Sequence, residues 1–244
     1  MPFYLVYDRK VHFTRTVTTI FFNTDDKDIT YLKGQWEDLA SFYTSDKSIK
    51  DNAFQLLKEK YSEKSRFYHN LIHVKSLLNL FESLEDKIQN RNAVRFAIWF
   101  HDVIYNSRRN DNEAESARLA SETLVKLDVN TETIEFVGDL ILDTKSHSGR
   151  NLSYDAKLFL DMDLAILGTS EAIYKEYSKA IRTEYSWVSE STYRKGRKKV
   201  LKSFIERKRI YFTDEMKIRY EGQARKNISS EIRSLDARKK TRAS

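Results

Sequence analysis

The sequence predicts an all-α, single-domain protein. One proline and six glycines in 244 residues are few for a fold rich in strands and turns. Apolar residues recur at the three- and four-residue spacing of helices from about Tyr31 onward. Hydrophobic residues make up 40% of the chain and aromatic residues 13%, which excludes global disorder and allows a large core.

Three segments differ in character. Residues 1–30 form an N-terminal extension, in which β-branched and aromatic residues at 11–22 favour a short hairpin or an irregular segment. Residues 31–235 form the helical domain, and residues 236–244 are a basic tail that we expect to fray. Within the domain, helical spacing predicts helices over or near 36–43, 53–61, 69–84, 92–105, 111–127, 131–143, 154–168, 173–181, 200–205 and 224–232.

Composition narrows the classes of site and location. The chain has no cysteine, so a disulfide framework and thiolate metal ligands are excluded, and any metal must bind histidine and carboxylate. No segment approaches the roughly 18–20 apolar residues of a membrane span, and the short apolar N-terminus lacks the order of a signal peptide. We therefore expect a cytoplasmic protein that does not act in a membrane.

Positive charge is concentrated at the C-terminal end. The net charge is +7, but residues 190–244 carry 18 Lys and Arg against 7 Asp and Glu, a balance of +11. The preceding residues have a balance of −4. Such a basic segment binds nucleic acid or phosphorylated ligands in some proteins and is a solvated helix face in others, and the sequence leaves both open.

The stretch around His101 and Asp102 is the most informative. These two residues follow a run of apolar residues that predicts a buried helix through residue 105. A buried carboxylate needs a partner, so a metal ion, an Arg or a Lys must neutralise Asp102. His69 and His73 lie four residues apart, a spacing that places both on one face of a helix, and Asp161 and Asp163 are embedded in another apolar segment.

Five short elements occur in a fixed order. They are Tyr-His-Asn-x-x-His at 68–73, Phe-His-Asp-x-x-Tyr at 100–105, Asp-Asn-Glu-x-x-Ser-Ala at 111–117, Thr-x-x-His at 144–147 and Phe-Leu-Asp-x-Asp-Leu-x-Ile-Leu-Gly at 159–168. This arrangement resembles the HD-domain superfamily of metal-dependent phosphohydrolases, and more closely a subgroup of predicted members. The resemblance extends from about Trp36 to about Ile232 and implies a helical bundle that binds a divalent metal.

The resemblance implies roles for six residues. His73, His101, Asp102 and Asp161 would bind the metal, which could be Mn, Fe, Zn, Co, Ni or Mg. His69 would be the general acid, as the earlier histidine is in cyclic nucleotide phosphodiesterases with a similar first element. The alternative makes His69 the ligand and His73 a core residue, and Asp163 would be structural or would support the ligands.

Four further residues are weaker candidates. Glu113 could orient the attacking water, or it could simply be an acidic residue in the first turn of a helix. His147 could bind the substrate phosphate or a second metal, or lie on the surface after a helix end. Arg197 and Arg225 are the arginines that we expect to bind substrate phosphates, because Arg is the better bidentate clamp.

The sequence therefore predicts an enzyme, a phosphatase or phosphodiesterase that acts on a nucleotide or another small phosphorylated metabolite. Three alternatives remain open at this point. One is a sensor that binds metal or nucleotide with little turnover, and another is a helical protein that binds nucleic acid through its basic end. The third is a purely structural pair of His101 and Asp102.

Overall fold

The computed structural model describes residues 24–147 and 152–237, and every regular element in these two ranges is helical. The predicted all-α class is therefore confirmed. The elements are α1 (Asp26–Ala40), α2 (Lys47–Tyr61), α3 (Leu71–Leu84), α4 (Arg91–Phe100), α5 (Asn112–Lys126), α6 (Thr131–Asp143), α7 (Tyr154–Asp163), α8 (Glu171–Glu184), α9 (Glu190–Ile205) and α10 (Asp214–Ala237), with short 3-10 helices at Glu85–Lys87 and Leu164–Gly168.

The ends of the chain depart from the predicted boundaries. α1 begins at Asp26, so the helical domain starts before residue 31, and α10 continues to Ala237. The strand-like stretch at 11–22 lies outside the described residues, as does the tail from residue 238. In the part of the chain that the structure covers, no helix is both long enough and apolar enough to cross a membrane.

Polar caps define where several helices start. The Asp46 carboxylate accepts hydrogen bonds from the Ser48 and Ile49 amides at the start of α2. Asn70 and Asn130 cap α3 and α6 in the same way. These bonds satisfy amides that have no partner within the helix, which is why Asp and Asn are favoured at this position.

α4 lies at the centre of the core. All its residues from Ala93 to Phe100 are buried, and it packs against α3, α5, α6 and α7. The Trp36 ring of α1 meets Trp99 and Phe100 edge-on, with ring centroids 5.6 and 6.1 Å apart. Because α4 is surrounded by other helices, the residues that follow its last turn are held inside the protein.

Two helices next to this core are shorter than predicted. α4 ends at Phe100 rather than continuing to residue 105, and α3 begins only at Leu71. The buried guanidinium of Arg66 donates to the carbonyls of Asp102 and Val103 and so holds the turn after α4. His69 therefore precedes α3, and the prediction that it shares a helix face with His73 is wrong.

α10 lies directly on the 3-10 helix Leu164–Gly168. A Cβ atom on Gly168 would come within 2.5 Å of the Tyr220 Cβ, so only glycine permits this approach. The Asn227 side chain donates to the carbonyls of Leu167 and Thr169, both at 2.9 Å. These contacts fix α10 relative to the end of α7.

Candidate metal centre

Three helix ends bring two histidines and one aspartate together. His73 belongs to the first turn of α3, His101 directly follows α4, and Asp163 is the last residue of α7. One ligand atom from each lies within 4.8 Å of the others. The two Nε2 atoms are 3.0 Å apart, and Asp163 Oδ1 is 3.2 Å from His73 Nε2. Imidazole nitrogen and carboxylate oxygen at such distances form a donor set suited to a divalent transition metal.

The ring of His101 is oriented by the main chain. Its Nδ1 lies 3.1 Å from the Ile98 carbonyl oxygen, which can only accept, so Nδ1 carries the proton and donates. Nε2 then points at the group, 3.0 Å from Asp102 Oδ2. Metal-binding histidines commonly donate their second nitrogen to a carbonyl in this way, so the donor set fits a metal ion.

The carboxylates of the candidate metal centre need a positive charge close to them. Asp102 Oδ2 also lies 3.7 Å from His73 Nε2, so two carboxylates face two imidazoles. Burial alone would raise the pKa of Asp102, but His101 and His69 hold it well below its usual range. Burial lowers the pKa of His101, but Asp102 outweighs it and raises that pKa to about 9. Either a proton on His101 or a bound cation satisfies these carboxylates.

His147 reaches the same group from the end of α6. Its Nε2 lies 3.0 Å from Asp163 Oδ2, whereas His73 faces the other carboxylate oxygen, Oδ1. The residue has a left-handed backbone, with φ of 47°, and its carbonyl accepts from Arg207 Nη1 at 2.9 Å. The structure thus places His147 beside Asp163, where it orients that carboxylate.

His69 lies next to the group and pairs with a carboxylate that the sequence analysis missed. Its Nδ1 is 2.7 Å from Glu184 Oε2, and its ring stacks on Tyr105 with centroids 4.0 Å apart. Burial lowers the pKa of His69, but the Glu184 and Asp102 carboxylates outweigh it and raise that pKa. Burial raises the pKa of Glu184, but His69 outweighs it and lowers that pKa to about 2. The pair is therefore a buried imidazolium and carboxylate at mildly acidic pH.

The predicted role of Asp161 needs correction. Its carboxylate faces away from the histidines and accepts from the amides of Phe212 and Thr213 at 2.8 and 2.7 Å and from the Thr213 hydroxyl at 2.6 Å. Burial raises the pKa of Asp161 to about 6, against the effect of these donors. Asp161 thus fixes the residues that lead into α10, and Asp163 is the aspartate of the group.

The two arginines predicted to bind phosphate are occupied elsewhere. Arg197 is buried and donates from Nε and Nη2 to the Glu231 carboxylate at 2.9 and 3.1 Å. Arg225 donates to Glu221 and to the Ile205 carbonyl. Both side chains join α10 to neighbouring segments, so their predicted role in substrate binding is not supported by their contacts.

Glu113 is placed in the first turn of α5. The nearest charged group described for it is Lys145 Nζ, at 4.0 Å, and no contact joins it to the histidines among the described residues. Its neighbour Ser116 is buried, and its hydroxyl accepts from the Ile104 amide at 3.1 Å. The third sequence element therefore supports the turn after α4 through Ser116.

Glu184 and Arg66 are the important residues that sequence reasoning did not find. Glu184 lies on the apolar face of α8 with Tyr177 and Ile181, and a carboxylate on such a face was the available signal. Its Oε1 accepts from the amides of residues 67–69, at 2.7 to 3.1 Å. Arg66 had no comparable signal, because its acceptors are main-chain carbonyls that any residue provides.

Comparisons of the chain with protein-family models, with curated proteins and with solved structures find no match.

Proposed function

We propose that the protein is a metal-dependent phosphohydrolase with His73, His101, Asp102 and Asp163 as its metal ligands. The observation that carries the proposal is the convergence of two histidine Nε2 atoms and the Asp163 carboxylate at a buried point, with Asp102 Oδ2 3.0 Å from His101 Nε2. The resemblance of the five sequence elements to HD-domain phosphohydrolases supplies the reaction class. A nucleotide or another small phosphorylated metabolite is the proposed substrate.

The ligands are arranged to act without reorganising. A divalent ion bound here would neutralise phosphoryl charge and lower the pKa of a water molecule. The Ile98 carbonyl holds the His101 ring in place, and His147 does the same for Asp163. A site that is fixed in advance loses little free energy on ordering, which is what electrostatic catalysis requires.

His69 is the proposed general acid. Its Nδ1 is bonded to Glu184, which leaves the Nε2 side of the ring to give a proton to a leaving oxygen. Burial lowers the pKa of His69, but Glu184 and Asp102 outweigh it and raise that pKa, which favours the protonated form that an acid needs at the start of the reaction. Glu184 is a positioning residue in this scheme.

Metal content and phosphate release test the proposal together. Protein stripped of metal is loaded separately with Mn, Fe, Co, Ni, Zn and Mg and assayed on nucleotides and on p-nitrophenyl phosphate. We expect metal binding near one equivalent and metal-dependent phosphate release, both lost in His101→Ala and retained in Asp139→Asn, which alters an exposed residue of α6. A wild-type protein that binds no metal contradicts the proposal, and metal binding without turnover favours a sensor.

A second candidate function, nucleic-acid binding, is favoured by a groove beside α9. The groove has a volume of about 720 Å³ and lies between α9 and the last turns of α10. Five basic side chains of α9 line it and span about 140° of the helix. The Arg194 Nη2 atom is buried there without a hydrogen-bond partner. The five are Arg194, Lys195, Lys198, Lys199 and Lys202.

Salt dependence separates this function from the phosphohydrolase. A labelled single-stranded oligonucleotide should bind with an affinity that falls steeply with salt, because each neutralised phosphate releases counterions. Replacing Lys195, Lys199 and Lys202 by Gln should weaken binding and flatten the salt slope. Unchanged binding in that variant argues against a role for the groove. The matched control replaces Lys58, Lys60 and Lys64 by Gln.

A further inference from the structure

A cavity opens directly beside the candidate metal centre. It has a volume of about 400 Å³, with His73 and Asp163 in its wall and with Arg219 and Tyr220 of α10 also lining it. This volume lies within the range of small-molecule sites. Much of the remaining wall is aliphatic, contributed mainly by Ile72, Leu77, Leu80, Met162, Ile166 and Ile173.

Arg219 is available to bind an anion. Its guanidinium carbon lies 5.1 Å from the centroid of the Tyr220 ring, and the side chain makes no ion pair or hydrogen bond with any described residue. Arg197, in contrast, is bound to a carboxylate. Apart from His73, Arg219 is the only basic side chain among the described residues that line the cavity.

The position of Arg219 is fixed by the packing of α10. The helix rests on Gly168 at Tyr220, the residue next to Arg219. Tyr211, just before α10, donates its hydroxyl to the Leu164 carbonyl at 3.0 Å. Because α10 is held on both sides of residue 219, the arginine is presented to the cavity by a rigid element rather than by a loop.

We propose that this cavity binds the organic part of the substrate and that Arg219 binds a second anionic group of the same molecule. This inference rests on the proposed function, which places the reacting phosphoester at His73 and Asp163. The chemical class is an organic phosphate with an aliphatic body and a second anionic group, either a carboxylate or another phosphate. The aliphatic walls supply affinity by burying apolar surface, and Arg219 supplies selection by charge.

Matched ligands measure separately what the alkyl chain and the second anionic group contribute to binding. Phosphonates replace phosphoesters as probes, because a phosphohydrolase does not cleave their P–C bond. Inorganic phosphate, n-hexylphosphonate, 6-phosphonohexanoate and hexane-1,6-bisphosphonate are titrated into the metal-loaded protein, with dissociation constants from calorimetry. We expect hexylphosphonate to bind at least about tenfold more tightly than inorganic phosphate. The second anionic group should add roughly a further three- to tenfold, and comparing carboxylate with phosphonate identifies the preferred group.

Two variants and one control test the residues of the cavity wall. Arg219→Gln should remove the gain from the second anionic group and keep the gain from the alkyl chain, whereas Arg233→Gln, an exposed arginine farther along α10, should keep both. Ser76→Phe, at an exposed position of the cavity wall, should remove the alkyl gain. Equal binding of inorganic phosphate and hexylphosphonate in the wild type, or an undiminished second-anion gain in Arg219→Gln, overturns the inference.

Failure of the proposed function gives a different result. Hexanoate is titrated into the metal-free protein, where no phosphoester chemistry is involved. If hexanoate binds and Arg219→Gln weakens this binding while Arg233→Gln does not, the proposed cavity and its anion site are supported even if the protein binds no metal. If hexanoate does not bind, or binds equally to Arg219→Gln and Arg233→Gln, the proposed anion site in the cavity is contradicted, whether or not the protein binds metal.

Discussion

Exchanging the two aspartates of α7 for asparagine separates a metal ligand from a structural carboxylate. Asp161 accepts three hydrogen bonds, and asparagine can replace only one of its two oxygens as an acceptor. One buried amide is left unpaired, which costs about 1–3 kcal/mol, and the remaining bonds lose their ionic character. We therefore expect Asp161→Asn to lower the free energy of unfolding by roughly 2–4 kcal/mol, or about 5–15 °C in Tm.

Asp163→Asn should have the opposite profile. Its carboxylate is 16% exposed and lies within 4 Å of three histidines, to which the asparagine amide can still hydrogen-bond, so the metal-free protein should lose only about 1 kcal/mol. Loss of an anionic ligand should weaken metal binding at least about 100-fold, since even residues that only support ligands contribute 10- to 100-fold. At a metal concentration 100 times the wild-type Kd, the wild type gains about 2.7 kcal/mol and the variant about 0.4 kcal/mol.

Thermal unfolding with and without metal measures both the stability of the metal-free protein and the stabilisation that the metal adds. The wild type should gain about 5–10 °C on loading, Asp161→Asn should start lower and gain a similar amount, and Asp163→Asn should start near the wild type and gain almost nothing. Metal content measured by plasma mass spectrometry checks the loading. The reverse pattern, in which Asp161→Asn abolishes the metal-dependent gain and Asp163→Asn retains it, would refute the assignment of Asp163.

Further predictions concern the supports of the site. Gly168→Ala should destabilise the protein by about 1–3 kcal/mol, because the new methyl group collides with the main chain at Tyr220; chemical denaturation measures this, with Gly138→Ala, whose Cβ meets nothing within 4 Å, as the control. Glu184→Gln should lower stability most between about pH 4.5 and 6.5. Glu184, whose pKa is lowered to about 2, stabilises the folded state above the pKa that it has in the unfolded chain. His69, whose pKa is raised, contributes its full stabilisation below the pKa that it has in the unfolded chain. The folded state should gain roughly 3 kcal/mol from the Glu184 shift, so a pH-independent difference between variant and wild type would contradict the pairing.

Helical periodicity predicted most of the fold because burial decides it. α6 occupies residues 131–143 as predicted, and the predicted segment at 154–168 is helical throughout, as α7 followed by a 3-10 helix. Apolar spacing reports which residues face the core, and a helix in a large core follows that spacing. α9 begins well before its predicted start at 200, because its first turns are mostly polar and carry little apolar signal. α10 begins well before 224, because Met216, Ile218 and Tyr220 recur at a spacing of two rather than at a helical spacing.

The candidate site was predictable in its histidines but not in its local geometry. His73 and His101 are brought together as expected, with their Nε2 atoms 3.0 Å apart. The turn after α4 could not be read from periodicity, since its apolar residues continue the helical pattern through Tyr105. The turn depends on hydrogen bonds from Arg66, a residue distant in sequence, and such bonds leave no periodic signal.

The choice between Asp161 and Asp163 shows why order along the chain is insufficient. Residues two apart on a helix point about 200° from each other, so only one of the two carboxylates can face the histidines. Both positions are acidic and both lie in an apolar segment, so the segment itself does not distinguish them. The distinction comes from the start of α10, where the amides of Phe212 and Thr213 need acceptors and lie against Asp161. Asp163 is thereby left on the side of His73, and it is α10, 50 residues later in the chain, that assigns the two aspartates their different roles.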